Sequence, residues 1–233
     1  MKKVIYSLFI LFMAGYAEVA AQNYDVIYSM KMNPEKVIKM MSHETGMPKF
    51  MLSFLKDDLK KAKLLVSVKM SKDKSDMQFL RKQSKFEIGV MGVKMDAADM
   101  FDNGILNNYS DFANDIYYAK FNVDGQNYII RTKGEQEPKY KPINLYKKIL
   151  GHECKKMIDE KNETTIWYAE DIPFTTKLYP GVPGLVLEIA EESEGLTMTA
   201  TSVKKTNNDI TLPENAKEVT KKELKKIMES KKK

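Results

Sequence analysis

Very few residues of this sequence could carry out chemistry, and two of them stand only two positions apart. The chain has 233 residues, with one cysteine and two histidines. Cys154 and His152 fall in a predicted strand, where side chains at i and i+2 project from the same face about 7 Å apart. Such a pair could activate a thiol or contribute two ligands to a metal. Parallel side chains on one strand are poorly placed for proton transfer, so we favour a structural Cys154 and keep a metal or redox thiol as the alternative.

Methionine offers a second kind of chemistry, because its thioether is a soft ligand for Cu(I). The chain has 16 methionines, and six cluster near its start: Met30, Met32, Met40, Met41, Met47 and Met51. Methionine also fills irregular cores, and the predicted strand positions of Met91, Met95 and Met198 favour that interpretation. A Met-rich copper-handling protein is therefore the first alternative function.

The sequence contains no motif typical of an enzyme. It has no Gly-rich phosphate loop, no nucleophile elbow and no clustered Cys or His signature, and its acidic pairs have no fixed spacing to a partner. We predict that the protein is not an enzyme and has no catalytic residue, cofactor or metal.

The first 21 residues have the layout of a signal peptide. Lys2 and Lys3 precede an apolar run over residues 4–13, and Val19-Ala20-Ala21 is a small-residue cleavage site. The run is shorter than the roughly 20 residues that a membrane span needs, and no lipobox Cys follows it. We expect an exported protein, periplasmic or secreted, without a transmembrane span; a retained N-terminal anchor is the alternative.

The net charge of +6 comes mainly from the end of the chain, where residues 217–233 hold eight lysines and three glutamates. Residues 22–216 are neutral, and only two arginines occur, which argues against a nucleic-acid partner. The lysine-rich end is typical of a solvated surface, and attraction to an anionic membrane or polymer is the alternative.

Hydrophobic periodicity predicts strands separated by short polar turns. Residues 24–32 alternate as a half-buried strand, and Asn33-Pro34 then begins a helical segment that runs to residue 61 with an apolar stripe that includes Phe54. Asp124-Gly125 joins the clearest hairpin, and residues 96–115 predict an extended loop with a short helical turn.

The second half of the chain continues this pattern as an antiparallel meander. Predicted strand pairs are 149–158 with 164–171 and 185–190 with 196–203. Thr220 and Glu223 form a capping box for a short C-terminal amphipathic helix. We predict one α+β domain over residues 22–216, in which a curved antiparallel sheet wraps around the N-terminal helical segment, followed by a basic helix and tail over residues 217–233.

Three stretches in the second half of the chain form an ordered set of motifs: residues 149–156 (ILGHECKK), 166–173 (IWYAEDIP) and 181–189 (GVPGLVLEI). Their order resembles the GLPGLI family of exported Bacteroidetes proteins, while residues 195–203 resemble a sister family of exported domains. The motif residues are Gly181, Pro183, Gly184, Leu185, Cys154 and Trp167. The sequence departs from the family pattern at Val182, Val186, His152 and residues 175–177.

The resemblance implies an antiparallel fold similar to the half-barrels that carry lipidated cargo between bacterial membranes. It implies no catalytic residue, substrate or cofactor. Independently of the family, Gly181 and Gly184 around Pro183 suit a turn with one residue at positive φ, which we favour over a binding loop.

Taken together, these features predict an exported binding protein with a groove between sheet and helix. Its partner is expected to be an apolar small molecule or an envelope protein. An interaction or scaffold protein without a small-molecule ligand is the second alternative function. The sequence assigns neither the residues that bind nor the oligomeric state.

Overall fold

The computed structural model describes residues 23–45, 52–90, 93–96, 106–134 and 138–230. Its strands are β1 (Asn23–Met32), β2 (Leu64–Met70), β3 (Lys74–Phe79), β4 (Glu87–Val90), β5 (Val93–Asp96), β6 (Asn108–Asp111), β7 (Ile116–Val123), β8 (Gln126–Thr132), β9 (Lys141–Ile149), β10 (His152–Asp159), β11 (Thr164–Pro173), β12 (Gly184–Glu191), β13 (Leu196–Thr206) and β14 (Lys217–Glu218). Its helices are α1 (Pro34–Thr45), α2 (Lys56–Lys61) and α3 (Lys221–Ser230), with 3₁₀ turns at Ser53–Leu55 and Arg81–Gln83.

Twelve of these strands form one curved, open sheet, in the order β14-β8-β7-β6-β3-β2-β1-β13-β12-β11-β10-β9. Neighbouring strands are antiparallel, except for β14 and β8, which are parallel. The predicted antiparallel, β-rich class is confirmed at this level.

Strand β1 lies in the middle of the sheet and has the predicted alternation. Its five alternate apolar residues are all buried: Tyr24, Val26, Tyr28, Met30 and Met32. β1 pairs with β2 on one side and with β13 on the other, so the first described strand joins residues from distant parts of the chain.

Strands β12 and β13 separate at one end, and a tyrosine fills the gap between them. β12 pairs with β13 only from Glu188 onward, and the small Ala200 stands opposite Tyr28. The Tyr28 hydroxyl therefore reaches past β13 and donates a hydrogen bond of 2.7 Å to the backbone oxygen of Val186. Complete burial raises the pKa of Tyr28.

The N-terminal helices contribute to the core but do not bury the whole predicted stripe. Val37, Ile38, Leu52 and Leu59 belong to the buried cluster that contains the central strands. Phe54, which the predicted stripe includes, is 74% exposed. The Asn33 side chain caps α1 by accepting a hydrogen bond from the backbone N–H of Glu35 at 3.1 Å.

Two features of the sheet differ from the prediction. Within the predicted loop of residues 96–115, Asn108–Asp111 form β6, which lies between β3 and β7. Strand β9 was not predicted, because its exposed side chains do not alternate between apolar and polar and Pro142 interrupts the pattern.

The described residues contain no helix long and apolar enough to cross a membrane. The predicted signal peptide, residues 1–21, lies outside the described residues.

Candidate functional site

One face of the β7–β8 hairpin forms the floor of a groove. The hairpin turn has positive φ at Asp124 (50°) and Gly125 (82°), the conformation that a two-residue turn requires, and it confirms the predicted hairpin. In the resulting register Ala119 lies opposite Ile130. Because alternate residues of a strand share a face, Phe121 and Thr132 lie on this same face.

Helix α3 forms the wall of the groove. Its predicted capping box is confirmed: Thr220 donates hydrogen bonds to the Glu223 carboxylate from its backbone N–H at 2.8 Å and from its hydroxyl at 2.7 Å. These hydrogen bonds lower the pKa of Glu223. The Glu223 N–H donates back to the Thr220 hydroxyl oxygen at 3.2 Å, which completes the box and fixes where the helix begins.

A two-residue parallel strand places α3 over the hairpin. In β14, Lys217 pairs with Tyr128 and Glu218 pairs with Ile129. The Val219 N–H then donates a hydrogen bond of 2.9 Å to the backbone oxygen of Ile129. The chain is thereby fixed beside β8 immediately before the helix begins.

The groove between sheet and helix has a volume of about 390 Å³. Its lining comprises Ala119, Phe121, Ile130, Thr132, Lys221, Leu224, Lys225, Met228 and Glu229. Leu224 is buried, whereas Met228 remains 36% exposed. Apolar side chains therefore line most of the groove, and charged side chains from one helix accompany them.

The polar side chains in the lining of this groove are one hydroxyl, two ammonium groups and one carboxylate. Its carboxylate, that of Glu229, lies 3.9 Å from Lys225 in an exposed ion pair. No histidine or cysteine is part of the lining. The volume lies within the range of about 300–1,000 Å³ typical of small-molecule sites.

The structure does not bring Cys154 and His152 together as a reactive pair. Cys154 is completely buried, and its thiol donates a long hydrogen bond, 3.6 Å, to the backbone oxygen of His152. The imidazole instead contacts Asp171, with His152 Nδ1 2.7 Å from Asp171 Oδ2. The described residues contain no group of three His, Cys, Asp or Glu side chains that could hold a metal ion.

We expect the Cys154 thiol to be unreactive in the folded protein. Burial raises its pKa to about 11, so about a hundredfold less thiolate is present at neutral pH than for a thiol of pKa 9.0. Labelling with Ellman's reagent at pH 7.5 should be at least about a hundredfold slower in native buffer than in denaturant. Equal rates in the two buffers would show that the thiol is accessible and would reopen the redox alternative.

Trp167 packs among charged side chains on the sheet. Its ring lies 4.4 Å from the Lys147 ammonium and 5.9 Å from that of Lys156. Lys147 also pairs with Glu188 at 2.5 Å, and Glu188 accepts a hydrogen bond of 3.0 Å from the Thr199 hydroxyl. These contacts join five strands, β9 to β13, and give Trp167 a structural role.

The segment from Gly181 to Leu185 leads the chain into β12. Gly181 has a φ of 78°, as the turn interpretation requires. A Cβ atom at Gly184 would lie 2.1 Å from the backbone oxygen of Ala169, so only glycine allows this approach of two strands. Pro183 stands between the glycines, and Leu185 is completely buried. None of these residues lines the groove.

Met30 and Met32 are buried in the core, where Met30 pairs across strands with Met198. The side chains of Met40, Met41 and Met95 lie outside the part of the chain that is described, as do residues Met47, Met51 and Met91. The copper alternative therefore remains a prediction.

The sequence predicted the hairpin and the helix that form the groove but not their association. The element that joins them is β14. Its two residues are too few to show the hydrophobic period by which a strand is predicted.

No protein-family model matches the chain, and no curated protein matches it. Two solved structures of PNGF-II, in the C2 and P21 space groups, are similar to it at 17% and 18% identity, each with a TM-score of 0.47. The alignments cover 89% of this chain and 33% of the PNGF-II chain, so this chain spans about a third of that protein's length. Similarity at this level transfers no activity.

Proposed function

We propose that the protein is an exported binding protein that holds a single apolar chain in the groove between the β7–β8 hairpin and α3. The signal-like residues 1–21 support export. The proposal includes the lipid-carrier half-barrel that the GLPGLI resemblance implies. It differs in one respect, because the ligand would lie under the C-terminal helix and not under the N-terminal helical segment.

Support for this function comes chiefly from the groove itself. Phe121, Ile130 and Leu224 present apolar surface around a volume of about 390 Å³. Removal of apolar surface from water stabilises a complex by about 25 cal/mol per Å², so filling such a groove with an alkyl chain is favourable. Under the N-terminal helices, by contrast, Val37, Ile38 and Leu59 pack into the core.

Replacement of Ala119 by tryptophan tests this site. The indole would occupy the floor between Phe121 and Ile130, so saturable binding of the uncharged fluorophore N-phenyl-1-naphthylamine should weaken at least about tenfold, equivalent to about 1.4 kcal/mol. Ala113→Trp is the matched control, because Ala113 is exposed and does not line the groove.

Fluorescence titration and mass spectrometry of an organic extract of the purified protein would measure the binding. Absence of saturable binding by the unaltered protein would overturn the proposal. Equal binding by Ala119→Trp and Ala113→Trp would place the ligand elsewhere.

A further inference from the structure

The groove carries charge as well as apolar surface, and its positive charges outnumber its negative charges. Among the side chains that line it, Lys221, Lys225 and Glu229 are charged. Lys225 lies 3.9 Å from Glu229, so that the charges of this pair offset each other. Lys221 has no acidic partner within the described residues, and it is exposed to solvent.

The other acidic residues near the start of α3 are occupied elsewhere. Glu223 is held by Thr220 in the capping box. Glu218 accepts a hydrogen bond of 3.2 Å from the Tyr118 hydroxyl, and Tyr118 lies on the face of β7 opposite Ala119. Among the described residues, neither carboxylate forms an ion pair with Lys221.

We propose that the ligand is an anionic amphiphile with a single alkyl chain, whose head group pairs with the Lys221 ammonium while the chain lies against Phe121, Ile130 and Leu224. This inference rests on the proposed function and names its ligand class. An apolar groove with one uncompensated cation in its lining complements an alkyl chain that ends in a carboxylate or phosphate.

The geometry also places the cation where such a ligand needs it. Residues 221, 224, 225 and 228 recur at intervals of three and four, so Lys221, Leu224 and Met228 lie along one side of the helix. An alkyl chain that lies along Leu224 and Met228 would leave its head group beside Lys221, in contact with water. The head group and the Lys221 ammonium would then form a partly exposed ion pair.

A charge reversal distinguishes this inference from simple apolar binding. Affinities of dodecanoate, 1-dodecanol and dodecylammonium are measured by displacement of N-phenyl-1-naphthylamine from the full chain. For the unaltered protein we expect dodecanoate to bind about three- to fivefold more tightly than the alcohol, and dodecylammonium to bind most weakly. Lys221→Glu should reverse this order, and high salt should reduce both preferences.

Lys222→Glu is the matched control, because it makes the same change of net charge on the adjacent helical residue, which does not line the groove. It should leave the order of the three ligands unchanged. Acetate, which carries the anion without the chain, should not displace the fluorophore, whereas dodecyl phosphate should behave as dodecanoate does.

The possible results separate this inference from the proposed function. Equal affinities for dodecanoate and dodecanol in the unaltered protein, or equal effects of Lys221→Glu and Lys222→Glu, would overturn the head-group assignment while the groove still binds alkyl chains. If none of the three ligands displaces the fluorophore, the proposed function fails as well. Displacement by acetate would identify a simple anion site.

Discussion

Replacement of Gly184 by alanine is expected to lower the free energy of unfolding by about 3 kcal/mol, the upper part of the usual range for overpacking. The added methyl group would lie 2.1 Å from the backbone oxygen of Ala169 and 2.8 Å from Cδ2 of Tyr168. A flexible side chain could move away, but the Ala169 oxygen belongs to a completely buried residue of β11. The two strands must therefore separate at the point where β12 enters the core. Denaturant unfolding, followed by the fluorescence of the sole tryptophan, Trp167, measures the loss.

Gly181→Ala is the matched control, because it lies in the same segment and adds the same methyl group. Gly181 has a φ of 78°, but no atom lies within 4 Å of the position that its Cβ would occupy. Its cost is conformational alone, about 1–2 kcal/mol. A loss for Gly184→Ala no larger than that for Gly181→Ala would contradict the steric explanation and return the motif to the binding-loop interpretation.

Local patterns predicted those parts of the fold in which neighbouring residues supply the whole signal. In β1 the alternation of Tyr24 to Met32 reports burial on one face, and all five alternate apolar residues are buried. The turn at Asp124-Gly125 and the box at Thr220 and Glu223 have specific local chemistry, and both occur as predicted.

The strand order could not be predicted in the same way, because distant residues determine it. Met30 pairs with Leu64 on one side and with Met198 on the other, and no local pattern names such partners. Strand β6 has only four residues, among them polar Asn108 and Ser110, so its sequence is typical of a loop. Its neighbours β3 and β7 supply the hydrogen bonds that keep it extended.

The groove illustrates the same limit for function. Lys221 belongs to a basic C-terminal segment that, by composition, is typical of a solvated surface. The pairing of β14 with β8 brings this lysine beside Phe121 and Ile130. A residue that reaches the lining of a groove through tertiary placement leaves no motif in the chain.

Replacement of Asp76 by alanine is the second change with a large expected effect. Asp76 of β3 and Lys120 of β7 form an ion pair across β6, and their side chains are only 14% and 11% exposed. Tyr109 pairs with Asp76 in the sheet. Burial raises the pKa of Tyr109, and the negative charges of Asp111 and Asp76 raise it further. Asp76→Ala would leave the Lys120 ammonium largely buried without a partner, and we expect a loss of about 3 kcal/mol. Denaturant unfolding measures it.

The exposed pair of Lys141 and Glu160 provides the control, because both side chains are about two-thirds exposed, at 66% and 65%. Glu160→Ala should cost at most about 1 kcal/mol, and less at high salt, since water and ions screen that pair. The double change Asp76→Leu with Lys120→Met removes both buried charges and should recover most of the stability lost in Asp76→Ala. Two results would contradict this explanation: an Asp76→Ala loss in the free energy of unfolding no larger than that of Glu160→Ala, or a double change that is the least stable variant. Either would show that the low exposure of the pair does not determine its contribution to stability. The strands beside the groove would then be held together by their apolar face and backbone hydrogen bonds alone.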